Sequence, residues 1–338
     1  MTVIVTQKHM KLQKSIALTG CAILALSGSG LSAKAAETQP GNSRRTFADW
    51  CRQKAALSPE AKRTVEVLLK EAGTTECDAA NRKLSSLTEL DLDNNQISDI
   101  KPLESLTNLT QLFLGNNKIS DIKPLQSLTK LTMLALGDNL LGDIKPLQSL
   151  TNLAWLGLAN NKISDIKPLQ SLTNLTLVVL DNNRISDIKP LQSLTNLDWL
   201  FLNNNLLGDI KPLGSLTNLT RISLEKNQIR DIKPLESLTN LTWLFLNNNQ
   251  ISDIKPLESL TNLIGLVLDK NQISDIKPLE SLTNLTFLGL GDNQISDIKP
   301  LESLTNLTEI MLSGHPIAPK TCPLKPESIC NWEPISKQ

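Results

Sequence analysis

The chain has 338 residues, 34 basic and 34 acidic side chains, and a formal net charge of +0. This neutrality argues against a nucleic-acid ligand, which needs a basic surface to displace counterions. Tyrosine is absent and histidine occurs only at His9 and His315, so the usual general acids and bases are nearly missing and no catalytic residue is assigned.

Residues 1–35 read as an export signal. Lys8, Lys11 and Lys14 supply positive charge, Ile16 to Leu26 form an apolar run, and Ala33-Lys34-Ala35 offers a small-x-small cleavage pattern. The run is too short to span a bilayer, and Gly20, Gly28 and Gly30 weaken it, so no transmembrane segment is expected in the mature chain. Met10 would give a tidier signal as the starting residue. Leu18-Thr19-Gly20-Cys21 also resembles a bacterial lipoprotein box, with Cys21 as the lipid-bearing residue. Most of the apolar stretch would then follow the cysteine, so lipid anchoring is the weaker alternative. The expected location is secreted, periplasmic or cell-surface.

Residues 36–46 are polar and read as a flexible lead-in. Residues 47–83 are expected to form a helical N-terminal cap. Ser58 is a plausible N-cap, Pro59 suits the first helical position, and Gly73 suits the C-terminal end. Ala61, Val65, Leu68, Leu69 and Ala72 recur on one face between them. With Trp50 and Leu57 they are the candidates to cover the open end of a stacked core.

From Leu87 a 22-residue unit, L-x-x-L-x-L-x-x-N-x-I-x-D-I-x-P-L-x-x-L-T-N, recurs without insertion. It makes residues 84–315 a solenoid of about 11 leucine-rich repeats. Leu112 and Leu114 alternate with Gln111, Phe113 and Gly115, which predicts a short strand with leucines inward. Ile119, Ile122, Leu125 and Leu128 follow at spacings of three, which together with Pro124 suits 3₁₀ turns on the return path. The fold class is therefore an α/β solenoid, a horseshoe with a concave parallel sheet. Asn95, Asn117, Asn139, Asn161, Asn183, Asn205, Asn227, Asn249, Asn271 and Asn293 share the position just past the strand. A buried amide there can donate to and accept from turn backbone, which predicts a structural ladder. Asp99 and its equivalents read as turn caps and not as a metal ladder, so no metal or other cofactor is expected. The Asn-Leu-Thr triplets at Asn108, Asn174, Asn218, Asn240, Asn284 and Asn306 match a glycosylation acceptor formally, but they belong to the repeat itself.

Residues 316–338 carry Pro316, Pro319, Pro323, Pro326 and Pro334, which predicts a small C-terminal cap and no further regular rung. Four cysteines lie outside the signal. Ten rungs at about 4.8 Å put the solenoid ends roughly 50 Å apart, far beyond the about 7 Å that a disulfide spans. The expected pairs are therefore Cys51–Cys77 and Cys322–Cys330.

The repeat, with Asp-Ile-Lys-Pro-Leu in every copy, closely resembles the bacterial internalin-type leucine-rich repeat. That resemblance implies a horseshoe with a helical cap, whose concave face grips a protein partner. It does not extend to an immunoglobulin-like segment or a Leu-Pro-x-Thr-Gly anchor. The cap, with Thr46-Phe47-Ala48-Asp49-Trp50-Cys51, looks more like exported cyanobacterial repeat proteins.

Specific information lies where the copies differ. The two outward strand positions carry Phe113, Trp155, Trp199, Phe201, Arg221, Trp243, Phe245 and Phe287. These are the candidate partner-binding residues, a solvent-facing aromatic stripe of the kind that marks interaction sites. The expected function is binding of an unidentified protein or peptide. A cell-envelope glycan, or a scaffold without a dedicated ligand, is the alternative.

Overall fold

The computed structural model describes residues 45–315, 317 and 320–333. The export signal, the possible lipid site at Cys21 and most of the lead-in lie outside the described residues. Residues 45–331 belong to one unit.

Its N-terminal part holds three helices: α1 (Phe47–Arg52), α2 (Pro59–Ala72) and α3 (Cys77–Ser86). Sequence periodicity indicates only α2. Its five expected apolar residues are buried, Ser58 Oγ accepts from the Ala61 N–H at 3.2 Å, and Gly73 closes it at φ 66°. The six residues of α1 are too few to show a period, and the start is set by a capping box between Thr46 and Asp49. In α3 only Ala80 and Leu84 are buried, too sparse a face to read. The Cys51–Cys77 disulfide ties the end of α1 to the start of α3, with Cα atoms 5.5 Å apart.

The cap meets the first rung through α2. Val65 and Leu68 are fully buried there, as are Phe47 and Leu84. Thr64 Oγ1 donates to the Asp99 carbonyl at 2.6 Å, and Arg63 Nε donates to the Asn95 carbonyl at 3.0 Å. Trp50 is buried, whereas Leu57 stays half-exposed and contributes less cover than its hydrophobicity suggests.

Strands of three residues follow, from β1 (Glu89–Asp91) every 22 residues to β11 (Glu309–Met311), all parallel and in sequence order. Register is copy on copy: Leu200 pairs with Ile222, and Ile222 with Leu244. Each rung turns seven apolar side chains inward. In one of them Leu197, Leu200, Leu202, Leu207, Ile210, Leu213 and Leu216 are at most 1% exposed. No rung could bury these alone, because the covering atoms belong to its neighbours. The return path is a 3₁₀ turn such as Lys123–Ser127. The repeated aspartate starts it: Asp121 Oδ1 accepts from the Lys123 N–H at 2.8 Å, and the other copies do the same.

The asparagines form a continuous ladder. Asn205 Nδ2 donates to the carbonyls of Leu180, Leu202 and Asn203, while its Oδ1 accepts from the Ile185 N–H at 3.0 Å. Asn95 stands at the end, is only half-buried, and donates just to Asp93. His315 occupies the next position after Asn293. Burial holds its imidazole pKa below the usual histidine value, against the opposing pull of the Leu290 and Asn293 backbone. Two further ladders escape sequence reading. The Asn-Leu-Thr asparagines donate to the carbonyl 23 residues earlier, as Asn174 does to Thr151 at 2.9 Å. The turn serines do likewise, as Ser193 Oγ does to Gln170 at 2.8 Å.

The C-terminal end adds a feature that the prolines do not predict. They point to a cap with no further regular rung, and within that segment the short β12 (Cys330–Asn331) adds a twelfth parallel strand against β11. The strand is two residues long and free of proline, so it needs none of the proline-rich loop before it. The Cys322–Cys330 disulfide, Cα atoms 5.7 Å apart, fixes the strand to that loop.

Candidate binding face

Outward strand residues line the concave side of the sheet in columns, one residue per rung, with rungs about 4.8 Å apart. The first column runs Trp155, Leu177, Trp199, Arg221, Trp243, Gly265, Phe287, and the second runs Gly157, Val179, Phe201, Ser223, Phe245, Val267, Gly289. The sheet register brings the expected residues from Trp155 to Phe287 into one patch. Phe113 lies apart from it, in β2 (Gln111–Phe113), beyond Ala135 and Gly157.

The rings do not all face solvent. Phe201 is 5% exposed and Phe245 is 9% exposed, which corrects the expectation of a uniformly open stripe. Phe245 is covered because a small residue lets its neighbour fold down. A Cβ at Gly265 would lie 2.1 Å from Trp243 Cζ3, so the indole occupies the space that glycine leaves. The same ring stacks on Phe245, with centroids 5.9 Å apart and planes 12° apart. Trp155 closes over Gly157 in the same manner. Arg221 stands between Trp199 and Trp243, with its guanidinium carbon 4.6 Å from the Trp199 ring centroid. That is cation–π distance. The patch thus combines buried Phe201 and Phe245 with half-exposed tryptophans, Arg221 and Phe287.

A third column lies one outward position past each strand and carries polar residues that an aromatic pattern does not reveal. It reads Asp181, Asn203, Glu225, Asn247, Asp269, Gly291. Its signal was available, since the position varies from copy to copy while the leucines around it do not. Asp181 Oδ1 accepts from the Asn203 N–H at 2.7 Å, Asn203 Oδ1 from the Glu225 N–H at 2.8 Å, and Asp269 Oδ1 from the Gly291 N–H at 2.9 Å. Asn203 Oδ1 also accepts from Ser223 Oγ, and Asn247 Nδ2 donates to Glu225 Oε2 at 3.2 Å. Burial pushes the Asp269 carboxyl up to about 6, and pushes Asp93 of the same column up as well. Among the described residues no group of three His, Cys, Asp or Glu could hold a metal ion. Among them also, no helix is long and apolar enough to cross a membrane.

The family model for leucine-rich repeats (2 copies) matches residues 85–127, 107–149, 151–193, 195–237, 239–281 and 283–325. Among solved structures, an internalin (inlF) of Listeria monocytogenes is 35% identical, with a TM-score of 0.67 over 78% of this chain and 85% of that one. A second Listeria monocytogenes internalin is 31% identical, with a TM-score of 0.52 over 73% of this chain and 97% of that one. The leucine-rich repeat ectodomain of a plant membrane receptor kinase from Arabidopsis thaliana, in complex with Casparian strip integrity factor 2, is 26% identical. Its TM-score is 0.52, over 70% of this chain and 37% of that one. No curated protein sequence matches the chain.

Proposed function

The chain belongs to the leucine-rich repeat family, in its bacterial internalin-type branch, and from that premise we propose that it is an exported module that binds a polypeptide on its concave face. The contact would be made by Trp155, Trp199, Arg221, Trp243 and Phe287, with Phe201 and Phe245 buried beside them. The observation that carries this reading is the Arg221 guanidinium lying on the Trp199 ring, with Trp243 on the next strand of the same outer face. Tryptophan and arginine are the residues most enriched at binding hot spots, and here they are held in place by packing beneath them. Two disulfides suit an oxidising compartment outside the cytosol. Extracellular polypeptide recognition agrees with the plant receptor ectodomain of the same fold, which is in complex with Casparian strip integrity factor 2.

A glycan ligand is the second reading, because the third column sets polar groups beside aromatic rings. Those groups already hydrogen-bond to one another and to backbone, which favours the polypeptide. The test is binding, by biolayer interferometry, to polypeptides recovered from the cell envelope or growth medium. Trp199→Ala and Trp243→Ala should each lose about 2 kcal/mol or more of affinity, while convex Lys167→Ala should bind as the unaltered protein does. If both tryptophan variants bind normally, the concave face is not the site. Retention on a glycan array that both variants lose would support the second reading.

A further inference from the structure

The three outward columns are charged almost entirely with one sign. Glu89, Asp91, Asp93, Asp181, Glu225, Asp269 and Glu309 stand on them against one cation, Arg221. The chain as a whole is neutral, so this face is acidic by distribution and not by composition.

Asp269, like Asp181 of the same column, is a buried acid. Its residue is only 7% exposed, and among the described residues no ion pair closes on it. Lys270 follows directly, yet its charge is a minor influence beside burial. The fold does not require the charge. Asn203, three rungs away in the same column, accepts the same backbone hydrogen bond from the next rung with a neutral amide. A buried carboxylate that an amide could replace structurally carries a desolvation cost that the Gly291 and Asp269 backbone hydrogen bonds offset only in part and that a cation would offset further.

Its surroundings suit such a cation. Gly289 and Gly291 place no side chain on one flank of the carboxylate, and Asp269 Oδ2 lies 2.2 Å from where a Cβ at Gly289 would be. On the preceding rung, Asn247 is oriented by its bond to Glu225, which leaves its Oδ1 buried without a donor. This segment of the column therefore holds more acceptors than donors. Val267 beside it offers an apolar wall for the stem of a long side chain. Arg221 on Trp199 shows that the same face accommodates a guanidinium against its rings.

Resting on the polypeptide reading above, we propose that the partner is a basic polypeptide segment whose lysine or arginine side chain seats over Asp269, beside Asn247, with its apolar residues on the Trp199–Trp243 patch.

A displayed library of random 16-residue peptides, selected on the immobilised full chain, tests this. Enriched peptides should be rich in Lys and Arg and should carry an apolar residue. Their synthetic versions should bind at least about tenfold more weakly to Asp269→Asn, and their affinity should fall with salt. Circular dichroism and melting verify that Asp269→Asn keeps the fold, and Glu225→Gln provides an independent removal of charge. Enriched peptides without basic bias, lost on Trp199→Ala and Trp243→Ala but insensitive to Asp269→Asn, overturn the cation while leaving the concave face as the site. Peptides insensitive to all four variants, or no enrichment, overturn both.

Discussion

Replacing Asn205 with alanine isolates what one rung of the asparagine ladder contributes. The side chain makes four hydrogen bonds, but their loss is unequal. The Leu180 carbonyl still receives Asn183 Nδ2, the Leu202 carbonyl still receives Asn227 Nδ2, and the Asn203 carbonyl still receives the Asn182 N–H. The Ile185 N–H has only Asn205 Oδ1 and becomes a buried orphan donor. One unsatisfied buried group costs about 1–3 kcal/mol, and that is the expected loss in urea denaturation. Asn95→Ala should cost less than about 1 kcal/mol, because its donation to Asp93 orphans no buried N–H. Exposed Lys211→Ala should lie within about 0.5 kcal/mol of the unaltered protein. Asn205→Asp sharpens the argument, since it keeps the acceptor and turns a carboxylate toward three carbonyls. Its folded pKa should rise, so it should be less stable than the alanine variant at pH 7 and recover as the solution is acidified. Equal losses for Asn205→Ala, Asn95→Ala and Lys211→Ala would refute the ladder as the source of the effect.

Phe201→Ala and Phe245→Ala should each destabilise the chain by about 3 kcal/mol in the same assay, because both rings are buried. Losses below about 0.5 kcal/mol would mean that the rings are free surface. Asp269→Asn should stabilise the fold at neutral pH. With its folded carboxyl near 6 against 3.8 unfolded, the native state holds the proton more tightly. The penalty is absent below the unfolded value, grows as pH rises to about 6, and reaches up to roughly 3 kcal/mol above it. Melting the two proteins from pH 4 to pH 7 should show the gap opening, and a gap independent of pH would show that Asp269 is not strained by burial.

The internal period determined nearly everything that repeats. Leucine spacing prescribes inward and outward positions, the frozen asparagine has to serve the turn backbone, and the distance between the ends of a stacked core allows one pairing of the four cysteines. Each of these follows from a single rung and the rule that identical rungs stack. The short helices α1 and α3 were not legible, since their positions depend on the disulfide and on packing against each other more than on a periodic face. The twelfth strand was hidden for a related reason, because it is recruited by the open edge of β11 rather than by a repeat of its own. The binding face shows the same division most clearly. Sequence alternation placed Trp199, Phe201, Trp243 and Phe245 on the outer side of the sheet, but only the stacking of different copies decided which rings are covered. Gly265 admits the Trp243 ring, that ring covers Phe245, and Arg221 fills the gap beside Trp199. Burial of Asp269 is likewise set by its neighbours on adjacent rungs, 22 residues away in either direction. A repeat pattern determines where a side chain points, whereas its exposure and charge environment depend on the unlike residues stacked against it.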